Sequence, residues 1–156
     1  MSVQICQLGP DDVLLMNGLL GMFGEAFDDQ ISYGAKRPSS SYLRNLLAGD
    51  SFIALAALNG DAVIGGLAAY ELKKFEQERS EIYIYDLAVL QAFRRQGIAT
   101  RLIEDLKIIA AQRGAWVIFV QADSGIEDQP AIALYSRLGT REDVLHFDID
   151  VRKELK

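Results

Sequence analysis

The sequence predicts a single α/β domain built on a mixed sheet. Its 156 residues are enough for one domain of ordinary size. Half of the residues are hydrophobic and 24% are charged, a balance typical of a soluble globular domain. Strand-like and helix-like segments alternate in the order β-α-α-β-β-β-α-β-α-β, so an antiparallel front half precedes a strand–helix–strand–helix–strand half. We therefore predict one domain over residues 1–156.

The first elements follow from short-range patterns. Apolar and polar residues alternate over residues 3–8, which is typical of a half-buried strand. The turn-forming residues 9–12 then open a helix whose apolar stripe continues to about Phe27, with two acids at its positive end. A polar loop leads to three serines, Ser39–Ser41, which predict the start of a short second helix.

The middle of the chain predicts a β-hairpin followed by a central strand. Two apolar runs, 51–58 and 62–72, are joined by Asn59-Gly60-Asp61. Because Asn and Gly tolerate positive φ, this junction predicts a type I′ turn. A charged loop then precedes a third strand over residues 81–90.

The last third alternates helices and strands. A helix is predicted from Gly97 to about Arg113, ended by Gly114. The continuous apolar run 116–122 predicts a strand of the buried type. Pro130 starts a final helix that Gly139 ends, and the alternation over residues 144–149 predicts a terminal strand.

Several classes of protein are excluded by what the sequence lacks. Its lone cysteine, Cys6, leaves no internal disulfide or CxxC motif and is expected in the core, and its lone histidine, His146, leaves no HExxH zinc motif. No phosphate-binding GxxxxGK[ST] loop, signal-peptide pattern or run of ~18 apolar residues is present. The net charge of −6 disfavours nucleic-acid and anionic-membrane partners. We expect a metal-free cytoplasmic protein.

The most informative segment is a strand, a tight turn and a helix start over residues 83–100. Small residues at Gly97 and Ala99 leave the first N–H groups of the helix accessible, where the helix dipole favours negative charge. Arg94 and Arg95 add two positive charges. This pattern suits a pyrophosphate, although an ordinary strand–turn–helix junction with basic surface residues has the same pattern.

Two segments of the sequence, one in this turn and one further along the chain, resemble a known family. Arg94-x-x-Gly97-x-Ala99 after a strand, and the helix over residues 131–139 after the next strand, resemble the acyl-CoA site of the GNAT superfamily of N-acyltransferases. Four further segments resemble the type I aminoglycoside 3-N-acetyltransferases: residues 75–77, 80–89, 120–123 and 146–150. The resemblance implies the GNAT fold, a central mixed and mostly antiparallel sheet flanked by helices, in which strand 81–90 splays away from strand 116–122. It also implies acetyl-CoA as co-substrate and no metal.

The resemblance also assigns the acyl-CoA site residue by residue. The backbone of residues 87–89 would pair with the pantetheine arm, and the N–H groups of residues 95–100 would bind the pyrophosphate. Tyr135 would protonate the departing thiolate, although its helical spacing also fits a core aromatic residue. Where the family often has an asparagine, this chain has Asp128-Gln129-Pro130. The cofactor-binding residues implied are Leu87, Ala88, Val89, Arg94, Arg95, Gln96, Gly97, Ile98, Ala99, Thr100 and Tyr135.

Acidic residues indicate the substrate. Between residues 115 and 150 the chain has seven acids and two bases, and a polycationic aminosugar needs carboxylates to bind it and one group to accept a proton. The candidate substrate-binding residues are Glu81, Tyr83, Asp86, Asp123, His146, Asp148 and Asp150. Asp148 and Glu81 are the predicted bases, because both lie on strands expected to border the cleft, although a solvated acidic rim would have the same composition. Asp86 has the opposite strand parity to Tyr83, and a β-bulge would bring it to the same face.

The resulting expectation is an acetyltransferase that confers antibiotic resistance. It would transfer acetyl from acetyl-CoA to the 3-amino group of an aminoglycoside such as gentamicin, by direct attack in a ternary complex. The resemblance is compatible with a homodimer. The alternatives are a polyamine or other small-amine N-acetyltransferase and a non-catalytic acyl-CoA-binding module.

Overall fold

The computed structural model describes residues 2–152 of the chain. These residues form two compact units, one ending at Gln121 and the other beginning at Ala122. Among the described residues, the first unit contains a five-stranded sheet with three α-helices, and the second contains one α-helix.

The sheet of the first unit has its strands in chain order. It consists of β1 (Val3–Gln7), β2 (Phe52–Asn59), β3 (Ala62–Lys73), β4 (Ser80–Val89) and β5 (Ala115–Val120). The first four strands pair antiparallel, and β4 pairs parallel with β5. This arrangement confirms the predicted mixed, mostly antiparallel sheet.

The helices of the first unit begin and end where the local sequence signals lie. They are α1 (Val13–Ala26), α2 (Ser40–Ala48) and α3 (Ile98–Gln112). The hydroxyl of Ser39 accepts a hydrogen bond of 3.2 Å from the Tyr42 N–H at the start of α2, which is the expected N-cap. Gly114, with φ of 79°, follows the end of α3 in the left-handed conformation. The predicted polar loop after α1 contains a π-helical turn, Ile31–Ala35.

The helices cover both faces of the sheet. Phe23 of α1 and Leu43 of α2 pack into one buried cluster with Phe52, Ala54 and Ala68 of the sheet. Because side chains alternate between the two faces along a strand, the residues of β2 and β3 that lie next to these in the chain have their side chains on the opposite face, as do alternate residues of β4. Helix α3 contacts β2, β3 and β4 with its own buried apolar stripe. The sheet is therefore the centre of a three-layer unit.

The hairpin between β2 and β3 differs in turn type from the prediction. Asn59 pairs with Ala62 across Gly60 and Asp61. Gly60 has a φ of 62°, whereas Asp61 does not have a positive φ. A type I′ turn needs positive φ at both central residues, so the predicted type is wrong.

Strand β5 is less buried than its apolar sequence predicted. It lies at the edge of the sheet within the described residues, and Trp116 is 54% exposed. The Arg79 guanidinium lies 4.2 Å from the centre of the Trp116 ring. An edge position leaves one side of a strand without a neighbour, which the sequence run itself does not reveal.

The second unit contains α4 (Gln129–Leu138), preceded by a 3₁₀ turn, Ile126–Asp128. Pro130 lies in the first turn of α4, as predicted. The predicted terminal strand over residues 144–149 is wrong: these residues are in no strand and are exposed. Alternating side chains do not suffice for a strand, which forms only where its backbone pairs with a neighbour.

Candidate active site

Strand β4 loses its neighbour on one side halfway along its length. Its pairing with β5 runs from Ser80 to Ile84, which lies opposite Val120, and stops there. Pairing with β3 continues as far as Val89. Within residues 2–152, the backbone of residues 85–89 therefore has no strand beside it on the β5 side, which is compatible with the predicted splaying of the two strands. The residues predicted to pair with pantetheine, Leu87–Val89, lie in this stretch.

The turn after β4 forms a cradle of backbone N–H groups. Arg95 has a φ of 64° and Gly97, the residue before α3, has a φ of 77°. Left-handed residues in a turn favour concave backbone sites lined by N–H groups, and the first N–H groups of α3 have no partner within the helix. Arg94 to Gly97 are exposed. The cradle is thus accessible, and it lies at a helix N-terminus, where negative charge is favoured.

The Arg94 side chain gives this turn a positive charge and also holds it in place through a hydrogen bond. Its Nε donates a hydrogen bond of 2.9 Å to the carbonyl oxygen of Val89, the last residue of β4. The side chain thereby fastens the turn to the strand that precedes it. The sequence predicted the positive charge of Arg94, whereas this bracing contact is visible only in the structure.

A β-bulge in β4 places Asp86 on the face that carries Tyr83. Ala68 of β3 lies opposite Asp86 and the next residue, Ala69, lies opposite Ile84, so Tyr85 is the extra residue. Tyr70 pairs with Tyr83 on the same face as Ala68. The bulge that the sequence analysis required for Asp86 is present.

Asp86 is hydrogen-bonded to a residue that the sequence analysis did not select. The hydroxyl of Tyr33, in the π-helical turn, donates to Asp86 Oδ2 at 2.8 Å. Burial raises the pKa of the Asp86 carboxyl, and the Tyr33 hydrogen bond opposes that rise. Burial and the same bond raise the pKa of Tyr33. No local pattern marks Tyr33, since its partner lies 53 positions away.

Glu81 and Tyr83 are held by side chains on the neighbouring β5 strand and its end. The Tyr83 ring stacks on Phe119 at 4.8 Å, and its hydroxyl donates to Gln121 Oε1 at 3.0 Å. Glu81 Oε2 accepts a 3.2 Å hydrogen bond from Trp116 Nε1. It also lies 3.6 Å from Lys74 Nζ. Glu81 is therefore already partnered, whereas Tyr83 forms a rigid aromatic wall.

The other predicted residues lie in the second unit. Tyr135 is half-buried on α4. The Asp123 N–H donates to Asp128 Oδ2 at 2.8 Å, so Asp128 secures the loop before α4. His146 Nε2 and Asp148 Oδ1 are 2.9 Å apart on the exposed segment that follows α4. The structure thus brings His146 and Asp148 together, and Asp150 lies exposed beyond them.

An open cavity of about 520 Å³ adjoins the turn after β4. It is lined by Glu25, Ala26, Leu90, Gln91, Ala92 and Arg94. Of the residues predicted for the site, this lining includes Arg94 alone. The cavity therefore extends the surface beside the anion cradle and is separate from the acidic and aromatic side chains of β4.

Three further observations concern metal ligands, membrane spans and the lone cysteine. Over residues 2–152, no group of three or more His, Cys, Asp or Glu side chains is arranged to hold a metal ion. No helix in this range is both long and apolar enough to cross a membrane. Cys6 is half-buried, and burial together with the nearby Asp12 charge raises the pKa of its thiol, so the reactive thiolate is disfavoured.

The class of protein follows from comparison with known families. Residues 21–140 match the acetyltransferase (GNAT) family, a stretch that includes β4, the cradle and α4. The chain therefore belongs to the acetyltransferase (GNAT) family. No curated protein matches the sequence.

Several solved structures are similar to this chain. An aminoglycoside acetyltransferase from an uncultured soil metagenomic sample is 66% identical, with a TM-score of 0.96 over 97% of this chain and 100% of that one. A second soil-metagenome aminoglycoside acetyltransferase, in complex with sisomicin, is 30% identical, with a TM-score of 0.87 over 96% and 97% of the two chains. The aminoglycoside N-acetyltransferase AAC(6′)-Iy, in complex with CoA, shares the fold at 18% identity and a TM-score of 0.70, covering 97% and 96%.

Proposed function

We propose that this protein transfers an acetyl group from acetyl-CoA to the 3-amino group of an aminoglycoside, which would confer antibiotic resistance. The observation that carries the proposal is the opening of the sheet beside Tyr85–Val89, followed directly by the anion cradle. A strand with one free edge and a ring of N–H donors at its end suits a ligand that has amide groups along an arm and a pyrophosphate at one end.

The residues of the first unit fit acetyl-CoA. The N–H groups of residues 95–100 would bind the pyrophosphate, with the positive charges of Arg94 and Arg95 beside it. The free edge of β4 at Leu87–Val89 would pair with the amides of the arm. When bound, acetyl-CoA supplies an acetyl thioester, which an unprotonated amine attacks. The Val89 N–H would donate to the thioester carbonyl and so favour attack.

The acceptor is proposed from charge and ring chemistry. Glu81, Tyr83 and Asp86 share one face of β4, where carboxylates bind ammonium groups and a flat phenol ring lies against a sugar. The exposed acids Asp123, Asp148 and Asp150, with His146, are the further acceptor-binding residues proposed from sequence. The sisomicin complex of the 30%-identical relative supports an aminosugar as the acceptor.

Two proton-transfer roles complete the proposal. Tyr135 would give its phenolic proton to the leaving sulfur, which makes the thiolate a better leaving group. Asp148 and Glu81 are the bases proposed from sequence. The amine would attack directly in a ternary complex, since the half-buried Cys6 on β1 has a raised pKa and is a poor nucleophile.

The test is release of CoA thiol from acetyl-CoA with a panel of amines. We expect turnover with gentamicin and kanamycin that exceeds, in kcat/KM, turnover with spermidine or a lysine peptide. NMR spectroscopy of the acetylated product then identifies the nitrogen that carries the new acetyl group. A clear preference for spermidine would replace the aminoglycoside with a polyamine, and acetylation at another nitrogen would refute the 3-amino position alone. Binding of acetyl-CoA with no thiol release for any amine would indicate a non-catalytic module.

A further inference from the structure

We propose that Tyr85 is a specificity-determining residue of the acceptor site, whose exposed aromatic ring stacks against the face of a saturated six-membered ring of the acceptor. This inference rests on the proposed acetyl transfer and narrows its acceptors to amines that are carried on such rings. A linear polyamine has no ring face and would lack this contact.

Tyr85 lies on the face of β4 that carries the proposed acceptor-binding residues. It is the extra residue of the β-bulge. Its ring contacts the rings of Tyr70 and Tyr83, which pair across β3 and β4 and share one face, so Tyr85 lies on that face as well. The pairing of β4 with β5 ends at Ile84, one residue earlier. Tyr85 therefore lies where the sheet opens, directly before Asp86.

The orientation of the Tyr85 ring is restricted by its neighbours. The Tyr70 ring lies 5.9 Å away at an interplanar angle of 87°, and the Tyr83 ring lies 5.9 Å away at 79°. Both are edge-to-face contacts, which are a favoured geometry for aromatic pairs. The two supporting rings are packed in turn, Tyr70 at 5.3 Å from Phe52 and Tyr83 at 4.8 Å from Phe119. A ring that is held in this way loses little conformational entropy when a ligand covers it.

Tyr85 is the exposed member of this row of five rings. Its side chain is 61% exposed, whereas Phe52 is buried and Tyr70, Tyr83 and Phe119 are half-buried. The row therefore presents a supported aromatic surface to solvent at the opening of the sheet. Such a surface is suited to contact with a ligand, because little rearrangement is needed before binding.

The other exposed aromatic side chains of the first unit are less suited to stacking. The Arg79 guanidinium lies 4.2 Å from the centre of the Trp116 ring and covers one of its faces. Tyr42 and Phe75 are 62% and 99% exposed, and within the described residues they are in no ring contact. Tyr85 combines exposure with support from two rings.

The rings of an aminoglycoside suit this surface. Their amino and hydroxyl groups lie mainly equatorial, so axial C–H bonds cover the two faces of each ring. Neighbouring nitrogen and oxygen atoms make these hydrogens slightly positive, whereas the face of an aromatic ring is negative. A ring stacked on Tyr85 would direct its ammonium groups outward from its edge. The carboxylate of Asp86, next in the chain and on the same face, would bind one of them.

Binding measurements on the full chain test the inference. Calorimetry gives the Kd values of sisomicin, spermidine and acetyl-CoA for the wild type, Tyr85→Ala and Tyr85→Phe. Sisomicin is the aminoglycoside in the complex of the 30%-identical relative. Ile108→Ala is the matched control, because Ile108 is 60% exposed on α3, at the opposite face of the sheet. Thermal melting of each variant verifies folding, and thiol release gives kcat/KM for the same amines.

We expect Tyr85→Ala to raise the Kd of sisomicin about 3- to 10-fold, the range for one aromatic contact, with the Kd of spermidine and of acetyl-CoA unchanged. The ratio of kcat/KM for sisomicin to that for spermidine should fall by a similar factor. Tyr85→Phe should bind sisomicin within about twofold of the wild type, since the ring face makes the contact. Ile108→Ala should behave as the wild type.

NMR spectroscopy of the ligand gives an independent signature of stacking. A proton that lies over the face of an aromatic ring is shielded, so the axial ring protons of bound sisomicin should shift upfield. We expect this shift with the wild type and Tyr85→Phe, and its loss with Tyr85→Ala.

Other outcomes overturn the inference. Unchanged affinity for sisomicin in Tyr85→Ala, in a protein whose wild type acetylates sisomicin, would refute the stacking contact and leave the proposed function intact. An equal loss of affinity for sisomicin and spermidine would mean that Tyr85 binds ammonium groups by a cation–π contact, without selecting rings. A loss that Tyr85→Phe shares in full would assign the contact to the hydroxyl.

Failure of the proposed function gives a different pattern. If the wild type binds sisomicin but acetylates only spermidine, the proposed function fails, while the Kd values and proton shifts still decide the role of Tyr85. Absence of sisomicin binding to the wild type refutes both.

Discussion

Replacing Gly97 with alanine tests the proposed binding role of the anion cradle separately from its contribution to stability. Gly97 has a φ of 77°, and an added methyl group would meet no atom within 4 Å. The substitution therefore causes backbone strain without a steric clash. The cost of a left-handed conformation for a residue other than glycine is about 1–2 kcal/mol. For a chain of this size each kcal/mol corresponds to roughly 2–4 °C, so we expect Tm to fall by about 2–8 °C.

Relief of that strain should also weaken binding of acetyl-CoA. If the Gly97 backbone relaxes, at least one N–H group turns away from the pyrophosphate, and a hydrogen bond to a charged group is worth about 1.5–3 kcal/mol. The Kd for acetyl-CoA, measured by calorimetry, should therefore increase by about 10- to 100-fold.

Gly114→Ala is the matched control at the other end of α3. Gly114 has a φ of 79° and equally open surroundings, so its substitution should cause a similar fall in Tm. It should leave the Kd for acetyl-CoA unchanged because Gly114 is not in the cradle. Equal affinities for acetyl-CoA in the two variants would refute the assignment of the cradle.

Three further changes test other parts of the molecule. Gly66→Ala should lower Tm by several degrees, because its methyl group would clash with Leu19 Cδ1 and lie 2.5 Å from the Leu55 carbonyl oxygen, an overpacking worth about 1–3 kcal/mol or more. Scanning calorimetry checks this against Gly21→Ala, which meets no atom within 4 Å and should stabilise α1 by about 1 kcal/mol. Tyr135→Phe should lower kcat by about 100-fold with the Kd for acetyl-CoA unchanged, and equal turnover would remove Tyr135 from the mechanism. Asp86→Asn should raise the urea midpoint at pH 7. Burial raises the pKa of the Asp86 carboxyl in the folded protein, so the free energy of unfolding decreases as pH rises above about 4. An amide does not ionise and therefore removes that loss. The difference between the urea midpoints of variant and wild type should shrink towards pH 4, and a lower midpoint at pH 7 would refute this sign.

The local elements could be read from the sequence because their causes are local. Ser39 starts α2 through a bond to an N–H three residues away, and Gly114 ends α3 because it takes up a positive φ at little cost. The cradle likewise depends on neighbouring residues, Arg95 and Gly97. Motif resemblance then identified the family, which the match over residues 21–140 confirms.

The misinterpreted elements depend on partners distant in the chain. The apolar run of β5 gave no indication that the strand ends the sheet, which leaves Trp116 exposed. The alternating residues 144–149 have the pattern of a strand without a pairing partner. The hairpin turn is a separate, local case: the hairpin was recognised correctly, but its turn type depends on the conformation of Asp61 as well as that of Gly60.

The sequence by itself determined the order of the elements from β1 to α4 and the place of the strand–turn–helix junction after β4, because each depends on residues close together in the chain. Only the tertiary structure decided which of the candidate carboxylates is half-buried and has a raised pKa. Asp86 reaches the Tyr83 face through one extra residue in β4, and Tyr33 meets it from 53 positions away. Burial and the hydrogen bond together determine the pKa of this carboxyl, and both arise only when the π-helical turn packs near the sheet.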